Sequence, residues 1–342
     1  MNIKEKLRNL RHSGLSFCVF RYPEEQNVQL VVQSGSTLTH AENGIVLHPF
    51  STEERPIHYL GNAFIGNLDD WNRVSDHRVS EKENPRPSDR KIFSRDEYTD
   101  RCTKAIDRIK TTALDKVVLN VIKEFRTDEA PEELFIRALK AYQDAFVHWT
   151  FIQGELSWLG ASPELLLKRE SNRFETMSLA GTRVQGSDPM TFKEEEEQAI
   201  VTSFITNTLD ELGVKEQVIS KVREKRTGHL VHLCNHIHFE SQLETEQILT
   251  ALHPTPAVCG LPRDIAFDTL KDLDMMGRDY YCGYIGFRKA DHAEYYVNLR
   301  CMDLTDGRAF VFVGGGVTAD SIHQEEWEEM NQKSLTMGRI LE

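Results

Sequence analysis

Two stretches of the sequence carry glutamates three residues apart. Glu194 and Glu197 form one pair, and Glu326 and Glu329 form the other. Carboxylates at this spacing lie on one side of a helix, where a bound cation would relieve their mutual repulsion. Carboxylate oxygens are the ligands that Mg²⁺ prefers. The spacing alone is also typical of two solvated helix faces, so a metal site needs support from elsewhere in the chain.

A glycine run and a histidine-rich segment are further candidates for binding. Gly314, Gly315 and Gly316 follow an apolar run, and consecutive glycines let the backbone approach a ligand closely. The run lacks the spacing of a P-loop or a dinucleotide fingerprint. The histidines of a predicted strand are His229, His232, His236 and His238. Their spacing permits a transition-metal site, although ordinary core or surface histidines explain it better.

One lysine and one glutamate stand at the start of apolar runs. Lys116 precedes Val117–Leu119, and Glu164 follows Pro163 and precedes Leu165–Leu167. A lysine in such a position is commonly an edge residue whose amine reaches solvent. Neither residue indicates catalysis by itself, and what distinguishes them is their order relative to the other motifs of the chain.

The composition is that of a globular protein with an acidic balance. Of the 342 residues, 39% are hydrophobic and 28% are charged, and the net charge is −13 at pH 7. No basic stretch offsets this charge, which argues against nucleic acid or a membrane surface as a partner. A small anionic substrate would need local cations or a metal.

The cysteines and the apolar runs bear on the cellular compartment. Six cysteines are widely spaced without a C-x-x-C pair, which predicts reduced thiols instead of a zinc cluster or a disulfide framework. The N-terminal residues lack the apolar core of a signal peptide, and no run approaches the length of a membrane span. We therefore expect a cytoplasmic protein, and a monomer because no self-association motif stands out.

Capping and turn signals divide the chain into helices and strands. Ser94 followed by Glu97 forms a capping box, which predicts a helix to about residue 112. Gly154 predicts the turn of one hairpin, and Ser171-Asn172 predicts that of another. Residues 80–93 are predicted to form a loop. Other helices are predicted over 131–142, 191–212, 245–252 and 321–340. Strands are predicted within 16–70 and over 116–119, 146–151, 155–159, 164–169, 173–177, 228–240, 281–287, 293–303 and 308–313.

The order of these elements indicates the fold class. The strands follow one another mostly as hairpins and do not alternate strictly with helices, which predicts an α+β fold with antiparallel sheets. No repeat, low-complexity segment or linker divides the chain, so we expect one continuous domain over residues 1–342.

A series of motifs resembles the signature of the chorismate-utilising enzymes. The central part of that signature is similar to Gly160–Leu167 and Met177–Arg183. Further matches follow in the order of the family: Lys193–Glu197, Val231–Leu233, Leu252–Ala257, Gly283–Gly286, Asn298–Cys301, Gly314–Gly316, and Glu326–Glu329 with Lys333. The resemblance covers residues 95–342, whereas residues 1–90 match only loosely. It implies two antiparallel sheets packed face to face, with helices on the outside.

Three positions indicate which chemistry of the family the chain resembles. Water-using members resemble it in carrying a lysine where Lys116 stands, whereas ammonia-using members typically carry glutamine. Ala180 stands where aminodeoxychorismate synthases usually carry a nucleophilic lysine, and Ala257 stands where amine-forming relatives usually carry threonine. The resemblance therefore implies an isochorismate synthase, which adds water at C2 of chorismate while the C4 hydroxyl departs.

The resemblance also implies roles for individual residues. Lys116 would activate the water and must be neutral to do so, and Glu164 would protonate the departing hydroxyl and must carry a proton. Mg²⁺ would be held by Glu197 and Glu329, supported by Glu194 and Glu326. Substrate contacts would come from Gly181, His232, Ala257, Arg300, Gly314, Gly315, Gly316 and Lys333.

Several alternatives stay open at this level. Salicylate synthase, which makes isochorismate and then eliminates pyruvate, is the closest rival, followed by anthranilate synthase and a non-catalytic chorismate-binding protein. The product would serve menaquinone or siderophore synthesis. Gln198 departs from the family pattern, since many relatives carry histidine after the metal-binding glutamate.

Overall fold

The structure, a computed structural model, describes residues 2–33, 42–71, 90–186, 189–227, 230–305 and 307–342. Most of the predicted loop over 80–93 lies outside these ranges, as does His229. The helices are α1 (Ile3–Arg11), α2 (Arg95–Thr111), α3 (Pro131–Ala141), α4 (Phe192–Glu211), α5 (Thr245–Leu252), α6 (Arg263–Asp272) and α7 (His323–Gly338).

Within the described ranges, the strands follow one another along the chain in the order of the predicted hairpins. In the first half they are β1 (Ser16–Arg21), β2 (Gln29–Gln33), β3 (Gly44–His48), β4 (His58–Leu60), β5 (Phe64–Asn67), β6 (Lys116–Arg126), β7 (Phe146–Ile152), β8 (Leu156–Ser162) and β9 (Leu165–Glu170). In the second half they are β10 (Arg173–Val184), β11 (Gln217–Ile219), β12 (Arg223–Thr227), β13 (Leu230–Glu240), β14 (Gly260–Leu261), β15 (Tyr284–Lys289), β16 (His292–Val297), β17 (Cys301–Thr305) and β18 (Arg308–Val317).

These strands form two antiparallel sheets. The first sheet has the order β14-β6-β18-β17-β8-β7-β1-β2-β5, and the second has the order β11-β13-β10-β9-β16-β15-β3-β4, with β12 also paired to β13. The sheets pack face to face through aromatic side chains. Phe146 of β7 stacks on Tyr296 of β16 with ring centroids 4.5 Å apart, and Phe20 of β1 meets Phe287 of β15 at 5.9 Å. The predicted α+β fold class is confirmed.

Local sequence signals account for several element boundaries. The Ser94 hydroxyl accepts the Glu97 N–H at 3.2 Å, and the Glu97 carboxylate accepts the Ser94 N–H at 2.9 Å, which is the predicted capping box of α2. Gly154 at φ 73° and Ser171 at φ 58° form the turns of the β7–β8 and β9–β10 hairpins. The predicted hairpins are therefore confirmed.

The prediction of one strand over residues 293–303 is wrong. The chain leaves the second sheet at Val297 and enters the first sheet at Cys301, so the segment is divided between β16 and β17. Between them Arg300 adopts a left-handed conformation with φ 48°. No glycine or proline in this segment indicates that conformation in the sequence. The crossing brings the Arg300 side chain to the space between the sheets. The helices α1 and α6 were also not predicted.

The cysteines were predicted to be reduced thiols. The six cysteines are free and buried. Within the described ranges, no helix is both long and apolar enough to cross a membrane.

Candidate active site

A cavity of about 190 Å³ lies where the two sheets meet α4 and α7. Its wall brings together most of the predicted site residues, although they are far apart in sequence. Those in the wall are Lys116, Glu164, Gly181, Glu194, Glu197, His232, Ala257, Arg300, Gly314, Gly316, Glu326, Glu329 and Lys333. Lys116 comes from β6 of the first sheet, and Glu164 lies in the link between β8 of the first sheet and β9 of the second.

Lys116 begins β6, and its side chain runs along the neighbouring strand β18. A Cβ atom at Gly316 would lie 2.5 Å from Cε and 3.1 Å from Nζ of Lys116, so only glycine leaves room for the lysine. Lys116 is 9% exposed. Burial lowers its pKa, and the charge of Lys333 lowers it further, against the opposing effect of Glu197. The amine is thus closer to its neutral form than an exposed lysine.

Glu164 lies directly before β9 and is 3% exposed. Its backbone carbonyl accepts the Val297 N–H at 3.0 Å, which fixes the residue against the end of β16. Burial raises the pKa of its carboxyl group to about 8, although the positive charges of Lys225 and Arg300 act in the opposite direction. A carboxyl group with this pKa is mostly protonated at neutral pH and can donate a proton.

Lys333 of α7 connects the carboxylates to the glycine run. Its Nζ lies 2.6 Å from a carboxylate oxygen of Glu329 and donates to the Gly314 carbonyl at 3.2 Å. Burial acts to lower the pKa of Lys333, but Glu329, Glu326 and Glu197 outweigh it and raise the pKa. Lys333 is therefore a permanently charged cation in the wall.

The remaining carboxylates have distinct local roles. Glu326 is buried, and its Oε1 accepts the Ser321 hydroxyl at 2.7 Å. Glu194 lines the cavity, but its Oε2 also accepts the Thr191 N–H at 2.7 Å, as a capping residue of α4 does. Glu197 lies one turn further along the helix, beside the cavity.

The carboxylates of the wall would suit a magnesium ion. In the part of the chain that the structure describes, no three His, Cys, Asp or Glu side chains converge tightly enough to enclose an ion. Mg²⁺ requires no such cage, because it usually keeps several waters and is held by one or two carboxylates together with substrate oxygens. Glu197 of α4 and Glu329 of α7, which both line the cavity, would supply those carboxylates.

His232 is held in one tautomer by its neighbours. Arg300 Nη2, which is always a donor, lies 2.7 Å from His232 Nε2, so this ring nitrogen accepts. His232 Nδ1 lies 2.9 Å from the Thr182 hydroxyl and carries the proton. Burial and the charge of Arg300 lower the pKa of His232 well below its usual value. The imidazole is therefore neutral, and its Nε2 is occupied by Arg300.

Arg300 is a partly buried cation at the crossing between the sheets. Burial lowers its pKa to about 10, so it stays charged at neutral pH. Its Nη1 donates to the Thr227 carbonyl at 3.3 Å, and Nη2 contacts His232. The guanidinium is thus fixed in a wall of the cavity, in a position to bind an anionic group.

The three glycines of β18 do not share one role. Gly314 and Gly316 line the cavity, and a Cβ atom at Gly314 would lie 2.9 Å from the Tyr281 hydroxyl. A Cβ atom at Gly315 would instead point to α7, 3.4 Å from Glu326 Oε2. Side chains alternate between the two faces of a strand. Gly315 therefore does not line the cavity as Gly314 and Gly316 do, and its predicted backbone contact with substrate stays a prediction.

The two alanines that distinguish the chain from amine-forming relatives both face the cavity. Ala180 lies on β10, and Ala257 lies in the turn before β14. That turn is fixed by the buried Arg278, whose Nη1 donates to the Val258 carbonyl at 2.6 Å. Neither alanine brings a nucleophile or a hydroxyl to the wall.

Some residues of the site were not predicted. Tyr281, Thr336 and Met337 line the cavity, and Thr182 orients His232. Lys225 pairs with His232 across β12 and β13, and its charge reaches Glu164. Thr182 belongs to the signature segment, so its position could have been inferred. Lys225 could not, because only the strand pairing brings it near.

The chain is similar to known proteins in sequence and in fold. The family described as chorismate binding enzyme matches residues 37–342. Isochorismate synthase MenF of Pasteurella multocida is 30% identical over 69% of this chain and 59% of its own length. Anthranilate synthase component 1 of Methanothermobacter marburgensis is 23% identical over 74% of this chain and 58% of its own length. The solved structure of MenF, the menaquinone-specific isochorismate synthase from Escherichia coli, has the same fold, with TM-score 0.80 at 18% identity, covering 97% of this chain and 91% of that one.

The chain belongs to the chorismate binding enzyme family. It spans about three fifths of the length of the curated relatives named above. The match to the family includes residues 37–90, which the motifs of the sequence reached only loosely.

Proposed function

We propose that the protein is an isochorismate synthase that interconverts chorismate and isochorismate with Mg²⁺. The observation that carries the proposal is that Lys116, which begins β6, and Glu164, in the link between β8 and β9, line one cavity and are each buried. A neutral amine and a protonated carboxyl group are the forms that a base and an acid need at neutral pH. Ala180 and Ala257 leave the wall without a competing nucleophile.

The reaction balances with these two groups. Lys116 Nζ takes a proton from a water molecule, whose oxygen bonds to C2 of the ring. The ring double bonds shift, and the C4–O bond breaks. Glu164 gives its proton to the departing hydroxyl, which leaves as water. One water is consumed and one is released, and the reverse reaction uses the same groups with their roles exchanged.

The anionic substrate is held by cations in the wall. Arg300 and Lys333 are both charged at neutral pH and only partly buried, so each would pair with a substrate carboxylate. Glu197 and Glu329 would hold Mg²⁺, which when bound supplies a positive charge for the ring carboxylate. These groups explain how a chain with net charge −13 binds a dianion.

The proposal is tested by product analysis. The purified protein should convert chorismate to isochorismate with Mg²⁺, reach the same equilibrium from isochorismate, and lose activity when a chelator removes the metal. Chromatography with authentic standards identifies the products. Salicylate with pyruvate would indicate a salicylate synthase, and anthranilate formed with ammonia would indicate an anthranilate synthase. Binding of chorismate without any product would indicate a non-catalytic protein.

Substitution of Gly316 by alanine should lower kcat about 10²-fold, because the new methyl group displaces the Lys116 amine that it would otherwise overlap. Gly315→Ala is the matched control on the same strand, since its methyl group would meet Glu326 Oε2 at 3.4 Å, an ordinary contact distance. Steady-state kinetics of both variants decide the point. Equal loss in the two variants would show that the strand, not the lysine, is disturbed.

A further inference from the structure

Gln198 follows the predicted metal ligand Glu197 on α4, and its side chain is buried with 2% exposure. The amide reaches across to the second sheet. Its Oε1 accepts the Ala180 N–H at 2.8 Å, and its Nε2 donates to the Asn235 side-chain oxygen at 2.7 Å. Nε2 also lies 3.0 Å from both the carbonyl and the hydroxyl of Ser178. One side chain thus joins α4 to β10 and β13.

The hydrogen bond to Ala180 falls at an irregularity of β10. Ala180 pairs with Leu233 and Thr182 pairs with His232, so the register shifts between them and leaves Gly181 as a bulge. Bulges of this kind redirect side chains and often lie beside active sites. Here the Ala180 N–H turns to Gln198, and the Thr182 hydroxyl reaches His232.

The bulge also sets how closely α4 approaches the sheet. Gly181 has φ 62°, and a Cβ atom there would lie 2.9 Å from both Cβ and the backbone oxygen of Glu194. The first turns of α4 therefore rest on the bulge with no space for a side chain. Gln198 holds the next turn at hydrogen-bond distance, so the helix is fixed at two successive points.

We propose that Gln198 is a positioning residue that holds the carboxylates of α4 in register with the substrate-facing bulge of β10. The proposal rests on the proposed function, because Glu197 is its metal ligand. Glu197 directly precedes Gln198 in the chain, so a shift of the amide moves the carboxylate as well. Supporting groups that fix a metal ligand commonly change metal affinity ten- to a hundredfold when removed.

A histidine at this position would fit the same role. An imidazole has one nitrogen that accepts and one that donates, so it can accept the Ala180 N–H and donate to Ser178 or Asn235. Methionine has nearly the volume of glutamine but cannot replace these hydrogen bonds. Asparagine keeps the amide but is one methylene shorter and cannot span the distance from α4 to Ala180.

The test compares Gln198→Met and Gln198→Asn with Gln198→His. In the first two variants, the Mg²⁺ concentration for half-maximal isochorismate formation should rise at least about tenfold. In Gln198→His it should stay within about threefold of wild type. Thr202→Val is the control, since the Thr202 hydroxyl contacts Ser178 and Asn235 in the same cluster at 3.0 and 3.1 Å but does not touch Ala180.

Hydrogen exchange of the Ala180 amide gives a readout that does not need activity. Its protection should be lost in Gln198→Met and Gln198→Asn and kept in Gln198→His and Thr202→Val. The proposal would be overturned if the Mg²⁺ dependence stayed unchanged in a variant whose Ala180 amide had lost its protection. It would also be overturned if Thr202→Val lost as much Mg²⁺ affinity as the Gln198 variants. If the wild-type protein makes no isochorismate, the proposed function fails, and calorimetric titration with Mg²⁺ alone together with Ala180 exchange still decides the role of Gln198.

Discussion

Replacement of Lys116 by methionine should reduce the turnover of chorismate by about 10³-fold at saturating chorismate and Mg²⁺. Methionine fills much of the lysine volume beside Gly316 but cannot take a proton from water. Burial lowers the pKa of Lys116, which favours the neutral amine that this substitution removes. The measurement is kcat by product chromatography, together with chorismate affinity by calorimetry, which should change little.

A second lysine of the same strand provides the control. Lys123 lies on β6 but outside the cavity, with its Nζ 3.7 Å from the centre of the Trp327 ring. Lys123→Met should retain turnover within about twofold of wild type. Lys116→Met should also be at least as stable as wild type against urea unfolding, because methionine removes an amine whose charge is costly to bury. Turnover of Lys116→Met within tenfold of wild type would exclude Lys116 as the base.

Local sequence signals were sufficient where one residue type determines a turn or a helix end. Ser94 with Glu97, Gly154, and Ser171 each marked a boundary that the structure shows. The signals failed where the conformation depends on distant parts of the chain. Arg300 takes its left-handed conformation because the chain crosses between sheets, and α6 begins after Pro262 without a side-chain cap.

The candidate site shows the same division. The order of the family motifs located Lys116, Glu164 and the four glutamates, and the fold brings them into one cavity. The contacts and pairings between residues of the site could not be predicted from the sequence. Nothing in the sequence indicates that Gly316 makes room for Lys116, that Lys225 pairs with His232, or that Gln198 bonds to Ala180. Each relation depends on strand register or on helix packing against a sheet.

Replacement of Glu164 by glutamine should lower kcat by roughly 10²- to 10⁴-fold, because the amide cannot protonate the departing hydroxyl. Glutamine has nearly the same shape, so chorismate binding should be kept. Glu294→Gln is the control, since burial raises the pKa of Glu294 as well, but this residue lies outside the cavity. Loss of activity in both variants would point to a general effect of burying an amide in the second sheet.

The pKa of Glu164 also predicts the alkaline side of the pH profile. The carboxyl group must be protonated to act, so kcat/KM should fall above about pH 8. The positive charge of Lys225 lowers this pKa, and Lys225→Gln should therefore move the decline to higher pH. Arg226→Gln is the matched control, because Arg226 is the exposed neighbour of Lys225. Its replacement should leave the decline of kcat/KM at the same pH. A wild-type profile that stays flat from pH 7 to 9.5 would contradict the acid assignment.

Replacement of Glu164 by glutamine should also stabilise the fold in alkaline solution. Glu164 has a pKa of about 8 when folded and 4.5 as an ordinary carboxyl group, so the fold favours its protonated form. The contribution of Glu164 to the stability of the wild-type protein is fully present below pH 4.5 and is lost progressively as the pH rises through about 8. At pH 8.5 the ionised group costs roughly 3–5 kcal/mol, which glutamine avoids. Urea unfolding at pH 5 and 8.5 should show an advantage for Glu164→Gln that is small at pH 5 and several-fold larger at pH 8.5. An advantage that does not grow with pH would show that Glu164 is ionised in the folded protein, and the proton for the departing hydroxyl would then have to come from another group.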